Sequence, residues 1–378
     1  MKYRVPFNKP FIIGKELYYI SQAVLGGKLA GDGVFTKRCN EFLESTFHAK
    51  KVLLTHSCTA ALEIAAILCE SGPGDEVILP SFTFVSTANA FHLRGARLVF
   101  ADIRADTLNI DENMLEDLIT ARTKAIVPVH YGGVACAMDT IMEMARKNNV
   151  FVIEDAAQAV NSRYGDRYLG TIGDLGAYSF HETKNFISGE GGAIVINNDR
   201  FIERAEIIRE KGTNRCKFFR GETDKYTWVD IGSSYLPSEI IAAFLFAQLE
   251  NIDLITQRRK EIFEYYSDGL APLVERGLLM TPKPVKKGGA NSHVFYVILE
   301  DEETRDGLMD HLKAREILAV FHYVPLHTSP MGLSMGYSEG QFPVTESISR
   351  RLLRLPFYYE LKQEDQEYVI DCIRKFFG

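Results

Sequence analysis

Residues 151–192, FVIEDAAQAVNSRYGDRYLGTIGDLGAYSFHETKNFISGEGG, carry the pattern that decides the fold. An apolar run at residues 151–153 ends on two acids, Glu154 and Asp155. Further on, Lys184 stands just before a glycine-rich turn at residues 188–192. An acid at a strand's end and a lysine on a later loop are the two contacts that a pyridoxal phosphate (PLP) site needs. The lysine bonds to the cofactor's aldehyde, and the acid keeps the pyridine nitrogen protonated.

Strands and helices alternate around this stretch. The pattern predicts strands at residues 51–55, 76–79, 97–102, 125–130, 151–155, 176–180 and 193–197. It predicts helices at residues 16–24, 37–47, 58–69, 85–93, 111–119 and 139–148. This alternation is typical of an α/β fold with a mostly parallel sheet covered on both faces. Ligands of such sheets bind beyond the carboxyl ends of the strands, where Ser57, His130 and Asp155 fall.

The pattern changes after residue 237. One long amphipathic helix is predicted at residues 238–266, followed by strands at 293–299 and 318–321 and by helices at 304–313, 346–353 and 364–376. We therefore predict a large PLP-binding domain at residues 1–237. A bridging helix and a smaller α+β C-terminal domain occupy residues 238–378 in this prediction.

Lys184 and Asp155 are the candidate catalytic residues. A loop lysine is usually only a solubilising charge, but Lys184 follows Ser179 and an acid-ended strand, and it must be neutral to attack an aldehyde. Successive side chains of a strand point to opposite faces, so only one of Glu154 and Asp155 faces the ring. Asp155 is nearer the strand's carboxyl end, although an acid there also serves as a helix cap. Gln158, one helical turn on, reaches the same site.

Two further stretches predict cofactor contacts. Ser57, Cys58 and Thr59 follow a strand and open a helix, so their amides and hydroxyls suit a phosphate, or simple helix capping. An aromatic residue near a strand end can stack on the cofactor ring or pack in the core. Phe84 is our candidate, and spacing alone does not separate it from Phe82.

Composition excludes several functions. The formal net charge of −7 argues against a nucleic-acid partner. The six cysteines are scattered without a C-x-x-C pair, so neither a disulfide framework nor a metal site is predicted. The sequence shows neither an apolar run of transmembrane length nor the apolar core of a signal peptide. We therefore expect a cytoplasmic protein with no membrane partner.

The chain resembles the PLP-dependent sugar aminotransferases of the DegT/DnrJ/EryC1/StrS family. The matching segments cover residues 57–62, 72–89, 124–131, 154–158, 179–185, 189–192 and 353–356, which spread over essentially the whole chain. The resemblance implies the PLP-dependent transferase fold type I, which is the aspartate-aminotransferase fold. It also implies a homodimer whose active sites lie at the subunit interface.

The resemblance assigns roles to the matching residues. It makes Lys184 the Schiff-base lysine and Asp155 the partner of the pyridine nitrogen, and it places Gln158 beside the ring's phenolic oxygen. The phosphate ligands and the stacking aromatic are then Cys58, Thr59, Ser179 and Phe84. Many members use an asparagine of the other subunit as a phosphate donor, and Ser234 occupies that position here.

A narrower resemblance concerns the substrate. Residues 51–55, 82–91, 181–185, 210–214 and 226–235 resemble the branch that aminates dTDP-4-keto-6-deoxyglucose to dTDP-4-amino-4,6-dideoxygalactose for bacterial surface polysaccharide. This implies L-glutamate as the donor, pyridoxamine phosphate (PMP) in the second half-reaction, and ping-pong kinetics. Candidate diphosphate ligands are Lys211, Arg215, Arg220 and Lys225. Candidates on the sugar side are His181, His322, Tyr323 and His327.

Other functions stay open at this point. A branch of the family with histidine in place of the lysine dehydrates sugars, which Lys184 argues against. Aminotransferases that make the gluco epimer or act on a 3-keto sugar would keep every cofactor residue. A non-catalytic nucleotide-sugar binding protein is disfavoured by the retained lysine and aspartate. A nicotinamide dehydrogenase is disfavoured because no G-x-G-x-x-G follows a strand, and no P-loop is present.

Overall fold

A computed structural model describes residues 3–283 and 289–378 of the chain. Its strands are β1 (Lys51–Thr55), β2 (Glu76–Pro80), β3 (Arg97–Ala101), β4 (Thr123–Ile126), β5 (Phe151–Asp155), β6 (Arg163–Tyr164), β7 (Arg167–Tyr168), β8 (Leu175–Ser179), β9 (Gly192–Ile196), β10 (Tyr296–Ile298), β11 (Val320–Phe321) and β12 (Leu352–Arg354). Its α-helices are α1 (Glu16–Leu25), α2 (Val34–Phe47), α3 (Cys58–Leu68), α4 (Val85–His92), α5 (Leu115–Leu118), α6 (Met138–Asn148), α7 (Ile202–Arg209), α8 (Arg215–Phe219), α9 (Glu239–Leu249), α10 (Ile252–Glu275), α11 (Glu302–Lys313), α12 (Pro330–Ser334), α13 (Pro343–Arg351) and α14 (Gln363–Phe377).

The main sheet has seven strands in the order β1-β9-β8-β5-β4-β2-β3. The strands from β8 to β3 pair in parallel, whereas β9 runs antiparallel to both β8 and β1. Every residue of β2, β8 and β9 is buried, as expected where helices cover both faces of a sheet. The predicted α/β class with a mostly parallel sheet is confirmed.

Two predicted elements of this sheet region end earlier than the sequence pattern indicated. The strand predicted at residues 125–130 is β4, which ends at Ile126. Pro128 has no N–H for the ladder, so regular pairing stops before it, although His130 N still donates to Asp155 O at 3.1 Å. The helix predicted at residues 111–119 is a 3₁₀ turn, Glu112–Met114, followed by the single turn of α5.

The C-terminal part of the chain builds a second core. Strands β10, β12 and β11 form an antiparallel sheet with β12 in the centre. Apolar residues of α10, α11 and α14 pack on it, among them Ile262, Leu308 and Ile370. The division at residue 237 stays a prediction.

Two helix predictions in this part are wrong in extent. The single helix predicted at residues 238–266 is two helices, α9 and α10, separated at Glu250 and Asn251. The Asn251 side chain donates to Ala247 O at 2.8 Å, a local bond that competes with helix continuation. The helix predicted at 346–353 ends at Arg351 because the next residues form β12, which pairs on both sides.

In the part of the chain that the structure describes, no helix is long and apolar enough to cross a membrane. The six cysteines are free, and no group of three or more His, Cys, Asp or Glu side chains is arranged to hold a metal ion among these residues.

The buried carboxylate of Glu154 anchors the end of β5. Its Oε1 accepts from Ile172 N at 2.6 Å and Gly173 N at 2.7 Å, and its Oε2 accepts from Gly170 N at 2.8 Å. His130 Nδ1 accepts from Cys136 N, so Nε2 carries the hydrogen that it donates to Oε2 at 2.9 Å. Each carboxylate oxygen thus serves two donors.

We expect Glu154→Gln to lower the free energy of unfolding by about 2–5 kcal/mol. The amide NH₂ replaces one of the two oxygens and then faces two N–H donors, so two hydrogen bonds are lost inside the core. Urea unfolding measures the effect. Glu116→Gln is the control, because Glu116 is 69% exposed and should change stability by less than about 0.5 kcal/mol. Equal stability of the two variants would contradict the anchoring role.

Candidate active site

A cavity of about 820 Å³ lies between the main sheet and the C-terminal part. It opens at the carboxyl ends of β1, β5 and β8, where the fold class places ligands. Its wall includes all but one of the sequence-predicted cofactor residues, namely Ser57, Cys58, Thr59, Phe84, Asp155, Gln158, Ser179 and Lys184. The C-terminal part adds His293, the loop at residues 320–324, Arg354 and Phe357.

Lys184 lies in a turn in which its backbone N–H donates to His181 O at 2.9 Å. The next residue fixes the turn against the C-terminal part, because Asn185 Nδ2 donates to Asn291 O at 2.9 Å and Asn185 Oδ1 bonds His293 Nδ1 at 2.8 Å. Burial lowers the pKa of the Lys184 ammonium, and the positive charge of Arg354 adds to this, while Cys58 and Asp155 oppose it. A lowered pKa increases the share of the neutral, nucleophilic amine.

Asp155 faces the cavity from the end of β5, on the face opposite to Glu154. Its Oδ2 accepts from Thr87 Oγ1 at 2.7 Å, and its Oδ1 accepts from Ala157 N at 3.1 Å. Thr87 is in turn hydrogen-bonded to Thr83, with 2.9 Å between the hydroxyls. These bonds fix the orientation of the carboxylate toward the centre of the cavity, where a protonated ring nitrogen would need an ionised partner.

One end of the cavity suits a phosphate. Ser57 caps α3, its Oγ accepting from Ala60 N at 3.1 Å, so the amides of the first helical turn face the cavity at a positive helix end. Thr59 Oγ1 lies 2.8 Å from Ser86 Oγ. A Cβ on Gly192 would collide with the backbone of Ser57 and Cys58, so only glycine lets β9 approach this loop so closely.

The structure separates the two aromatic candidates. Phe84 lines the cavity and is 58% exposed, because it precedes the first turn of α4 and has no core neighbours. Phe82 is buried, with ring centroids 5.2 Å from Tyr131 and 5.5 Å from Tyr323. Gln158 is held beside the cavity, since its Oε1 accepts from Gly132 N at 2.7 Å and its Nε2 donates to Tyr323 Oη at 2.9 Å.

Only some of the predicted substrate residues meet the cavity. His181, His322 and Tyr323 line it. His327 is buried elsewhere, where its Nδ1 lies 2.7 Å from Ser81 Oγ and its Nε2 lies 2.9 Å from Glu346 Oε1. A histidine bonded through both nitrogens to the protein holds the fold together and has no nitrogen free for a sugar.

The predicted diphosphate ligands do not line the cavity of their own chain. Arg215 pairs with Glu210 at 2.6 Å, Arg220 Nη1 with Glu206 at 2.8 Å, and Lys211 Nζ lies 3.6 Å from Glu210 Oε2. Lys225 and Ser234 belong to the same exposed region and are likewise absent from the wall.

Sequence reasoning missed several wall residues. They are Phe7, Asn8, His293 and Arg354. Asn185 lies behind the wall, where it is bonded to His293. Arg354 belongs to the matching segment at residues 353–356, but an arginine between two leucines does not by itself indicate a side chain that faces a cavity. Phe7 and Asn8 are brought in from the N-terminal segment, as Asn8 Nδ2 donates to Glu182 O at 3.2 Å. Such long-range placements have no local pattern in the sequence.

The comparisons with known proteins agree with this geometry. Residues 11–374 match the model of the DegT/DnrJ/EryC1/StrS aminotransferase family. The chain is 34% identical to the spore coat polysaccharide biosynthesis protein SpsC of Bacillus subtilis, over 98% of this chain and 96% of that protein. It is 31% identical to GDP-perosamine synthase of Escherichia coli O157:H7, over the full length of both.

A solved structure is similar as well. The chain superposes on a Streptococcus pneumoniae protein described as a sugar aminotransferase, Spr1654, with a TM-score of 0.92. The two are 25% identical, and 99% of each chain is covered. That protein has been solved in PMP and PLP forms, and both superpose with the same TM-score. The likeness extends over both parts of the chain, so it confirms the fold type I architecture.

We expect Lys184→Met to raise the free energy of unfolding of the cofactor-free protein at neutral pH. Burial lowers the pKa of Lys184 below 10.5, so the unfolded chain binds more protons and the wild type gains stability as the pH rises between the two pKa values. The advantage of Lys184→Met should therefore shrink toward pH 10.5 in urea unfolding. The exposed-site control Lys37→Met should show no such trend. A difference that is constant with pH would contradict the lowered pKa.

Proposed function

We propose that this chain, which belongs to the DegT/DnrJ/EryC1/StrS aminotransferase family, transfers the amino group of L-glutamate to C4 of dTDP-4-keto-6-deoxyglucose. The products are dTDP-4-amino-4,6-dideoxygalactose and 2-oxoglutarate. The observation that carries the proposal is the convergence of Lys184 and Asp155 on one cavity, beside the positive end of α3. An acid, a lysine and an anion site in that arrangement match the needs of a PLP enzyme.

The cofactor of the family is PLP, and the residues of this cavity fit it. When bound, PLP supplies an aldehyde for the amino group and an electron-withdrawing ring. We assign its phosphate to the start of α3, its ring face to Phe84, and its pyridine nitrogen to Asp155. Gln158 lies near the phenolic oxygen in this assignment. The further phosphate ligands are Ser57, Cys58, Thr59 and Ser179, with Ser234 contributed by a second subunit.

Lys184 moves the proton in both half-reactions. Its Nζ, whose pKa is lowered by burial, takes the proton from the α-carbon of the donor and returns it on the cofactor side of the same cavity. With the keto sugar in place the lysine performs the same two transfers in the opposite order. Because both half-reactions use this one site, the two substrates must enter in turn, so ping-pong kinetics follow.

The identity of the acceptor rests on sequence resemblance outside the cofactor motifs. The acceptor must carry a ketone, since only a carbonyl condenses with an amine of the aminated cofactor. One relative of the chain is a GDP-perosamine synthase and another is a spore coat polysaccharide biosynthesis protein, which supports a nucleotide sugar of a surface polysaccharide. We place this step in enterobacterial common antigen or O-antigen synthesis. A cytoplasmic location is part of the proposal, in line with six free cysteines.

A homodimer with shared sites is also part of the proposal. The segment 226–235 exposes large apolar side chains, including Trp228 at 77% and Val229 at 50% exposure. Phe84 and Val85 are exposed at the start of α4, beside the cavity. Large apolar side chains are thus exposed both on the segment 226–235 and at the start of α4. Such surfaces favour an interface in which a second copy of the chain covers them. In that arrangement the segment brings Ser234 and the cations of residues 211–225 to the partner's cavity.

Trp228 is the chain's single tryptophan, so its fluorescence reports on dimerisation. We expect sedimentation to give twice the mass of the chain, and Trp228→Asp to shift the protein to monomers that lack activity. Leu333→Asp, which places the same charge at an exposed apolar residue of α12, is the control and should stay dimeric and active. A fully active wild-type monomer with water-exposed tryptophan emission would overturn the shared site.

The reaction itself is tested with dTDP-4-keto-6-deoxyglucose and L-glutamate. We expect a 4-amino product whose proton NMR spectrum shows the small H3–H4 coupling of the galacto configuration. Lys184→Ala should be inactive, and Asp155→Asn should be slower by roughly 100-fold or more, because an uncharged partner no longer keeps the ring nitrogen protonated.

Other spectra identify the alternatives. A large H3–H4 coupling would assign the gluco epimer, and an amine at C3 would assign a 3-keto acceptor. A folded wild type that aminates none of a panel of keto nucleotide sugars would favour a binding protein.

A further inference from the structure

Arg354 is held rigidly at the wall of the cavity. It ends β12, the central strand of the C-terminal sheet, and its backbone is in register with Tyr296 on one side and Val320 on the other. Leu353 and Leu355 are buried in the core behind it. The alternation of the strand therefore directs the guanidinium away from this core and into the cavity.

No acid compensates the charge of Arg354 among the ion pairs that the described residues form. Its Nη2 donates to Phe321 O at 3.2 Å, and its Nε is buried without a hydrogen-bond partner. The guanidinium carbon lies 4.7 Å from the centre of the Phe7 ring. Burial lowers the pKa of Arg354, because the charged guanidinium loses part of its hydration.

Two buried arginines differ from Arg354, which is partly buried. Arg209 pairs with Asp32 at 2.6 Å and donates to Leu54 O. Arg259 donates to two carbonyls, of Ser292 and His293. Arg209 Nε also lacks a hydrogen-bond partner, but an acid balances the charge of Arg209, and two carbonyls accept from Arg259. Arg354 has one carbonyl acceptor and faces the cavity. A cation in that state is suited to an anion that arrives from solution.

Two anionic groups of the substrates enter this cavity under the proposed function, and they differ in their distance from the reacting carbon. The α-carboxylate of an amino acid is bonded directly to the carbon that reacts. The diphosphate of a nucleotide sugar is attached at C1, on the far side of the sugar ring from C4. Arg354 lines the same cavity as Lys184, the amine that meets the reacting carbon in the proposed function. In line with this placement, the charge of Arg354 adds to burial in lowering the pKa of Lys184. A cation in this cavity fits a group next to the reacting carbon.

We propose that Arg354 binds a carboxylate of the amino-acid donor and thereby selects the donor. The inference rests on the proposed aminotransferase function and assigns the donor subsite within it. The planar guanidinium matches a carboxylate with two parallel N–H donors, and the strand fixes its place before the donor arrives. The keto sugar, which lacks a carboxylate, is not held by this residue.

The two half-reactions test the assignment separately. We expect Arg354→Gln to need roughly 10- to 100-fold more L-glutamate to convert the PLP form to the PMP form, followed by absorbance. The PMP form of the same variant should react with the keto sugar at wild-type concentrations. Arg354→Lys should recover part of the loss, since lysine keeps the positive charge but lacks the two parallel N–H donors of the guanidinium. Arg350→Gln, at an exposed arginine of α13, is the matched control.

Binding measured by calorimetry gives a readout that needs no turnover. Glutarate, a dicarboxylate without an amine, should bind the PLP-loaded Arg354→Gln variant at least about tenfold more weakly than the wild type, whereas dTDP should bind both equally. Circular dichroism checks the fold, and if Arg354→Gln is unfolded then Arg354→Lys must show the weaker glutarate binding.

The remaining outcomes overturn the assignment. If Arg354→Gln weakened the binding of dTDP alone, Arg354 would be a ligand of the nucleotide diphosphate. If the binding of both probes were unchanged, Arg354 would bind neither anion. The proposed function fails separately, namely if the wild-type PLP form is not converted by L-glutamate or the PMP form aminates no keto sugar. If the PMP form aminates no keto sugar, weaker binding of glutarate to Arg354→Gln would still show that Arg354 binds a carboxylate.

Discussion

The two adjacent carboxylates at the end of β5 point in opposite directions, and the site depends on that division. Glu154 is held by four donors and ties the loop before β8 to the sheet. Asp155 emerges on the other face at the cavity. Because side chains of a strand alternate, fixing Glu154 fixes Asp155 as well. The anchor thus gives the cavity-facing Asp155 a defined position, because the two residues are adjacent in the strand.

The lysine and phosphate ends of the cavity are joined by the antiparallel pairing of β8 with β9. That pairing sets Ser179 opposite Gly192, and Gly192 touches the loop that opens α3. The lysine turn lies between these two strands, so its ends are fixed by the sheet. Asn185 adds a tie to His293 in the C-terminal part. Asn185, the residue next to Lys184, therefore links the lysine turn to the C-terminal part.

Local patterns predicted the main sheet well because burial on both faces leaves continuous apolar runs with acids at their ends. The same patterns failed where tertiary contacts decide. The break between α9 and α10 falls at Asn251, whose side chain bonds the carbonyl of Ala247, and β12 forms because strands distant in sequence flank it. Spacing did not separate Phe82 from Phe84, since the difference is whether core rings lie opposite. His327 gave no sign of being bonded to Glu346 until the fold placed them together.

The cavity also differs in charge from the chain that contains it. In a protein with a net charge of −7, the cavity wall holds Lys184, Arg354 and a helix N-terminus beside two acids, Asp155 and Glu190. Glu190 lies 3.7 Å from His181, whereas Arg354 donates only to a backbone carbonyl among the described residues. In the proposed assignment the cofactor phosphate occupies the start of α3, so Arg354 is left for an anion that arrives from solution. An enzyme that takes two unlike substrates in turn gains from this separation, because the cation that holds one substrate need not fit the other.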